Sequence, residues 1–173
     1  MDNRAYAGTL VIAFMVLVLL LMYWGWRKRQ RSQAGLPRPH AVPDSAIEVL
    51  RVGGLYVATT LVDEPLNRVA VAGLGYRARA TVAVTNTPPG VVLALAGESD
   101  AFIPALDIQR VERSTWTIDR VVETNGLVKL TWLLGDTIVD SYVRVNEALA
   151  ASALITSIDA VIDTLDSTRN DTA

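Results

Sequence analysis

Apolar residues run unbroken over 5–26 and then change their spacing for the rest of the chain. The run AYAGTLVIAFMVLVLLLMYWGW holds no charged residue and no proline. Coiled as a helix at about 1.5 Å per residue it reaches roughly 33 Å, enough for a hydrocarbon core of about 30 Å. It is apolar all round, whereas a helix docked on a protein core keeps a polar face. Tyr6 marks one end and Tyr23, Trp24 and Trp26 the other, as interfacial aromatic belts do. The pattern predicts one transmembrane helix over 5–26.

Beyond Ala46 the period falls to two. Residues 54–62 (GLYVATTLV) are rich in β-branched and aromatic side chains. In 77–85, Ala78, Ala80, Val82 and Val84 alternate with Arg77, Arg79, Thr81 and Thr85, the signature of a half-buried strand. Asn86-Thr87-Pro88-Pro89-Gly90 reads as a turn, 91–95 as a strand, and 101–104 and 107–113 as two more. The last third predicts a three-stranded meander of 115–123, 127–134 and 137–145. Its turns are Thr124-Asn125-Gly126 and Gly135-Asp136, Asn-Gly being a strong hairpin signal. On the middle strand Val128, Leu130, Trp132 and Leu134 share the expected core face, and Trp116 is expected in the core as well. A helix over 147–166 follows, with Asn146 as N-cap and Leu154, Ile158, Val161, Ile162 and Leu165 on one stripe. The fold class is mainly β with one C-terminal α-helix.

Charge sets the topology. Arg27, Lys28, Arg29 and Arg31 follow the apolar run, against Arg4 and Asp2 before it. The positive-inside rule then leaves 1–4 as a short extracytoplasmic N-terminus and the remaining chain in the cytoplasm. A cleaved signal peptide is disfavoured by the scarcely basic n-region, the length of the run and the lack of a small-residue cleavage site. No charged or amide side chain interrupts the span, and Gly8 and Gly25 lie near opposite ends, so neither an ion relay nor a packed helix pair is indicated. Its role is that of a tether.

The chain has 16 basic and 18 acidic residues. Residues 1–31 take five of the bases and one acid, so the remainder carries 11 and 17, a formal net charge of −6. That excludes the concentrated basic face of a nucleic-acid binder. Cysteine is absent, which excludes disulfides, Cys-zinc sites and thiol catalysis. Residues 27–44 form a basic stop-transfer and a linker stiffened by Pro37, Pro39 and Pro43, with the single histidine, His40, inside it. Residues 45–166 form one domain, and 167–173 a polar, disordered tail.

Candidate chemistry is sparse. Gly73-Leu74-Gly75-Tyr76-Arg77-Ala78 fits a dinucleotide fingerprint, but a strand follows where that motif needs a helix, so a glycine loop is the reading. Asp119, Glu123, Asp136 and Asp140 lie on or beside strands without an apolar pocket; ion pairs with Arg120 or Arg144 are expected rather than acid–base work. No catalytic residue, cofactor or metal ligand set is expected. Arg68, Arg77 and Arg79 are the candidate contacts for an anionic head group or small anion, Arg77 and Arg79 sharing a strand face.

Element order, together with the stretches 74–81 (LGYRARAT), 102–104 (FIP), 115–122 (TWTIDRVV) and 136–142 (DTIVDSY), resembles one group. It is the actinobacterial single-pass membrane proteins with a cytoplasmic PH-like domain, often encoded among pyrimidine and carbamoyl-phosphate biosynthesis genes. The resemblance implies a PH-like seven-stranded barrel or sandwich whose open end the helix covers, and a cell-membrane location. It carries no activity over residue by residue. Some PH domains bind phosphoinositides through a basic first loop, a pattern from which Asp63-Glu64 departs. The resulting expectation is a non-catalytic interaction scaffold that holds a cytoplasmic or membrane protein partner at the inner membrane, touching lipid through its anchor. A lipid or anion sensor using the three arginines is the alternative, and an accessory component of an export or transport system the third.

Overall fold

The computed structural model describes residues 11–25, 35–62, 64–69, 71–117, 120–121 and 126–170. The chain divides into two compact units, Met1–Gly35 and Leu36–Ala173.

The first unit contributes helix α1 (Val11–Gly25), in which all described residues are exposed. Leu, Met and Ala supply helix propensity, and no glycine or proline interrupts the turns before Gly25. The rest of the expected span (5–10 and 26) and the basic cluster Arg27, Lys28, Arg29 and Arg31 lie outside the described residues.

The second unit is antiparallel throughout. Its strands are β1 (Ile47–Leu61), β2 (Glu64–Arg68), β3 (Ala78–Thr87), β4 (Pro89–Leu95), β5 (Ala101–Pro104), β6 (Ile108–Ser114), β7 (Trp116–Thr117), β8 (Arg120–Val121), β9 (Leu127–Leu134) and β10 (Thr137–Val145). Helix α2 (Ala148–Asn170) closes the chain. The sheet runs β5-β4-β3-β1-β10-β9-β6, with β2 attached to β1 and β7-β8 as a separate ribbon. The seven strands on this path match the expected number, but the sheet is not closed. A 3-10 turn, Ala105–Asp107, carries the chain between its two ends instead.

Strand β1 joins the two halves. Its first part pairs with β3 from Ile47 to Tyr56 and its last part with β10 from Gly54 to Leu61, so only 54–56 is paired with both β3 and β10, while Thr60 and Leu61 have β2 on their other side. A Cβ on Gly54 would stand 2.5 Å from the Arg144 carbonyl oxygen, so only glycine lets the two strands approach there. The strand expected from residue 54 therefore begins at Ile47, and Gly53 and Gly54 lie inside its 15 residues.

The core lies between the folded sheet and α2. Val82, Val84, Val91, Leu93 and Ile103 enter it from one side, and Leu130, Trp132, Val139 and Val143 from the other. Val128, Leu130, Trp132 and Leu134 are all buried, as their alternation predicts. Helix α2 docks through Ala151, Leu154 and Ile158, with Val161 and Ile162 half-buried beside them. It starts one residue later than expected and runs through 167–170, which the sequence reading placed in the tail. Ala148–Leu165 is also apolar enough, at mean hydropathy 1.6, to cross a membrane by length and composition alone. Its buried stripe gives it a place in the domain.

Three local differences from the sequence reading have physical causes. The partner of β9 is β6, not 115–123: the ladder ends at Ser114 opposite Leu127, and β7-β8 is a two-rung ribbon inserted between them. The local Asn-Gly signal loses to the longer ladder; Asn125 lies outside the described residues, as does the Trp116 side chain. The stretch expected as linker joins the domain from Leu36 onward. The Phe102 amide donates to the His40 carbonyl at 2.8 Å, and Val42 packs on Ala83, Val92 and Phe102. This strap covers the outer edge of β5, which would otherwise present unpaired backbone groups. Asp140 is buried and accepts a hydrogen bond from Thr131 Oγ1 at 2.6 Å, so it is not the surface partner of Arg144. Asp119, Glu123 and the Arg120 side chain lie outside the described residues.

Candidate functional site

The three arginines singled out from the sequence fall in different surroundings. Arg68, at the end of β2, is half-buried with its guanidinium carbon 5.7 Å from the Tyr76 ring centroid, a cation–π arrangement. Arg77 is exposed just before β3. The neighbourhood of that first connection is not purely basic. Asn67 donates to Glu64 at 2.7 Å, and the Glu98 carboxylate stands over Gly73 and Gly75. Arg79 belongs elsewhere: it lines a cleft to which neither Arg68 nor Arg77 contributes.

This cleft, about 850 Å³, opens where β1 passes from one half of the sheet to the other. Gly53 and Gly54 form part of its wall, and Arg79, Arg113 and Arg144 reach it from β3, β6 and β10. Asn146 and Ala148 bring the start of α2 to its rim. Among the described residues no Asp or Glu lines it. The strand register explains two of the arginines. Arg79 and Arg144 are the cross-strand partners of Leu55 from opposite sides, so both project from the face that Leu55 occupies. Arg113 is positioned by α2, donating from Nη2 to the Ala148 carbonyl at 2.9 Å and to Ser152 Oγ at 2.7 Å. There the positive end of the helix dipole adds to its charge.

Sequence reasoning reached Arg79 but assigned Arg144 to an ion pair and did not nominate Arg113. The available signal was Gly53-Gly54, since adjacent glycines in a strand mark a close backbone approach.

Several buried polar groups on β1, β9 and β10 are paired with each other. Tyr56 donates to Thr59 Oγ1 at 2.8 Å, Thr59 Oγ1 and Ser141 Oγ lie 2.6 Å apart, and Trp132 Nε1 donates to Ser141 Oγ at 2.9 Å. Burial pushes the Tyr56 hydroxyl up to about 12. On the surface, Lys129 Nζ lies 2.5 Å from Glu112, and that hydrogen bond lowers the Glu112 carboxyl. Among the described residues no group of three or more His, Asp or Glu is placed to hold a metal.

An antiparallel sheet folded over one core and capped by a C-terminal helix defines a PH-like module, a class that is generally non-catalytic. The family model for bacterial PH domain-like proteins matches residues 34–159, and the chain belongs to that family. The match begins beside the strap, at the boundary where the second compact unit begins. No curated protein matches the chain.

Proposed function

We propose that the chain is a membrane-tethered, non-catalytic interaction module that holds a cytoplasmic protein partner at the inner membrane. The observation that carries this reading is α1. All of its described residues are exposed, including Phe14, Leu17, Leu20 and Trp24, and an apolar helix without a docking face is at home in lipid. The basic cluster after the run orients the PH-like domain towards the cytoplasm. The test is protease added to intact spheroplasts of cells making the full chain. The domain is expected to stay uncut until the membrane is opened, and a chain lacking 1–31 is expected in the soluble fraction. Digestion of the domain in intact spheroplasts would invert the topology, and a membrane-bound truncated chain would remove the tether from the argument.

A further inference from the structure

We infer that the cleft at the bend of β1 is a binding site for a phosphate monoester group, held between Arg79 and Arg144. Two cross-strand partners of one residue stand about two strand spacings apart, or roughly 10 Å between Cα atoms. Their guanidinium groups can therefore lean together over Leu55. Among the described residues neither side chain has a hydrogen-bond or ion-pair partner, and no carboxylate lines the cleft. Two like charges left this close in a domain of net charge −6 are a local exception to the chain's own balance. A phosphate monoester carries close to two negative charges at neutral pH and offers three acceptor oxygens. It matches two planar guanidinium forks in charge and geometry, where a single carboxylate satisfies only one. Arg113 and the start of α2 add positive potential at the same rim. The remaining volume fits the body of a small molecule or a lipid head group beyond the phosphate. The site differs from one built on the first connection, since it excludes Arg68 and Arg77. It is also independent of the tether, so failure of either reading leaves the other standing.

The test uses the full chain in non-ionic detergent at constant ionic strength, titrated calorimetrically with inorganic phosphate and with glycerol 3-phosphate. Saturable binding is expected, weakening as pH falls through about 6, where the phosphate loses its second charge, while sulfate binding stays flat. Arg79→Ala and Arg144→Ala should each weaken binding about tenfold or more, as expected for losing a charged hydrogen-bond partner. Arg77→Ala should leave it unchanged. A Cβ at Gly53 meets nothing within 4 Å, so Gly53→Val should fill the cleft and block binding while the protein stays folded. Binding to phosphatidic acid nanodiscs but not to the soluble esters, lost in the Arg79→Ala/Arg144→Ala double variant, also supports the site and makes its ligand a lipid. Absence of saturation by every phosphate probe overturns the proposal, as does binding that survives the double variant. Binding of hexaglutamate in place of phosphate also overturns it, in favour of an acidic peptide.

Discussion

On the β3-β4-β5 side of β1 the inward row Val82, Val84, Val91, Leu93 and Ile103 is wholly apolar. The outward row Ala83, Val92 and Phe102 is apolar too, and the strap through Val42 covers it. On the β10-β9-β6 side the inward row contains Ser141 and Trp132, tied through hydrogen bonds to Thr59 and Tyr56 on β1. Its outward row buries Thr131 and Asp140, bonded to each other. One half thus excludes water chiefly by apolar contact, which tolerates repacking, its buried Thr85 bonding only to the nearby Pro88 and Gly90 carbonyls. The other uses directional bonds, which fix register and penalise any missing partner. The difference teaches why charge is left unpaired at Arg79 and Arg144: they stand at the seam, where neither scheme reaches across.

Breaking the polar half should cost most. Trp132→Ala removes the largest fully buried side chain and one of the two hydrogen-bond partners of Ser141 Oγ, for a loss of about 3–5 kcal/mol in urea unfolding of the detergent-solubilised chain. Alkali should show the same network. Tyr56 is neutral when folded, with its pKa raised from 10.0 to about 12, so its contribution is complete below pH 10 and disappears as pH rises to 12. The span corresponds to roughly 3 kcal/mol. Stability of Tyr56→Phe should fall less steeply over that range; equal slopes would mean the hydroxyl is solvated. The apolar half should yield less to a comparable insult, because its cover is a strap. Val42→Asp is expected to cost about 1–2 kcal/mol, read as a lower melting temperature with the sheet's circular dichroism unchanged below it. The smallest effect belongs to the solvent-screened pair at Glu112. Its carboxyl is lowered by Lys129, so any contribution is present at neutral pH and lost as pH falls through the folded-state pKa. Glu112→Gln should change stability by less than about 1 kcal/mol at neutral pH.

Much of this fold is legible from periodicity. The alternation of β3, the buried row of β9 and the stripe of α2 follow directly from which positions are apolar. Local turn chemistry was less reliable. Asn125-Gly126 pointed to a hairpin between 115–123 and 127–134, yet the partner of β9 is β6, because a ladder of six rungs outweighs one favourable turn. The prolines of 36–44 read as a spacer, whereas an edge strap needs few amide donors and tolerates them. Asp140 looked solvent-facing because its partner Thr131 sits on another strand. The cleft was the least visible part. Arg79 stood out within its own strand, but that Arg144 flanks the same Leu55 depends on β1 belonging to both halves, which no single segment reveals.

The strap also determines how the domain responds to a pull. Force entering through the residues before Leu36 meets the strap first, which among the described residues is tied by one backbone bridge, His40 to Phe102, and by the packing of Leu36 and Val42. Peeling one bridge and two half-buried side chains is easier than shearing the ladders of β1. The chain can thus pay out the nine residues of 36–44, roughly 30 Å when extended, while the sheet stays whole. The domain carries its own slack.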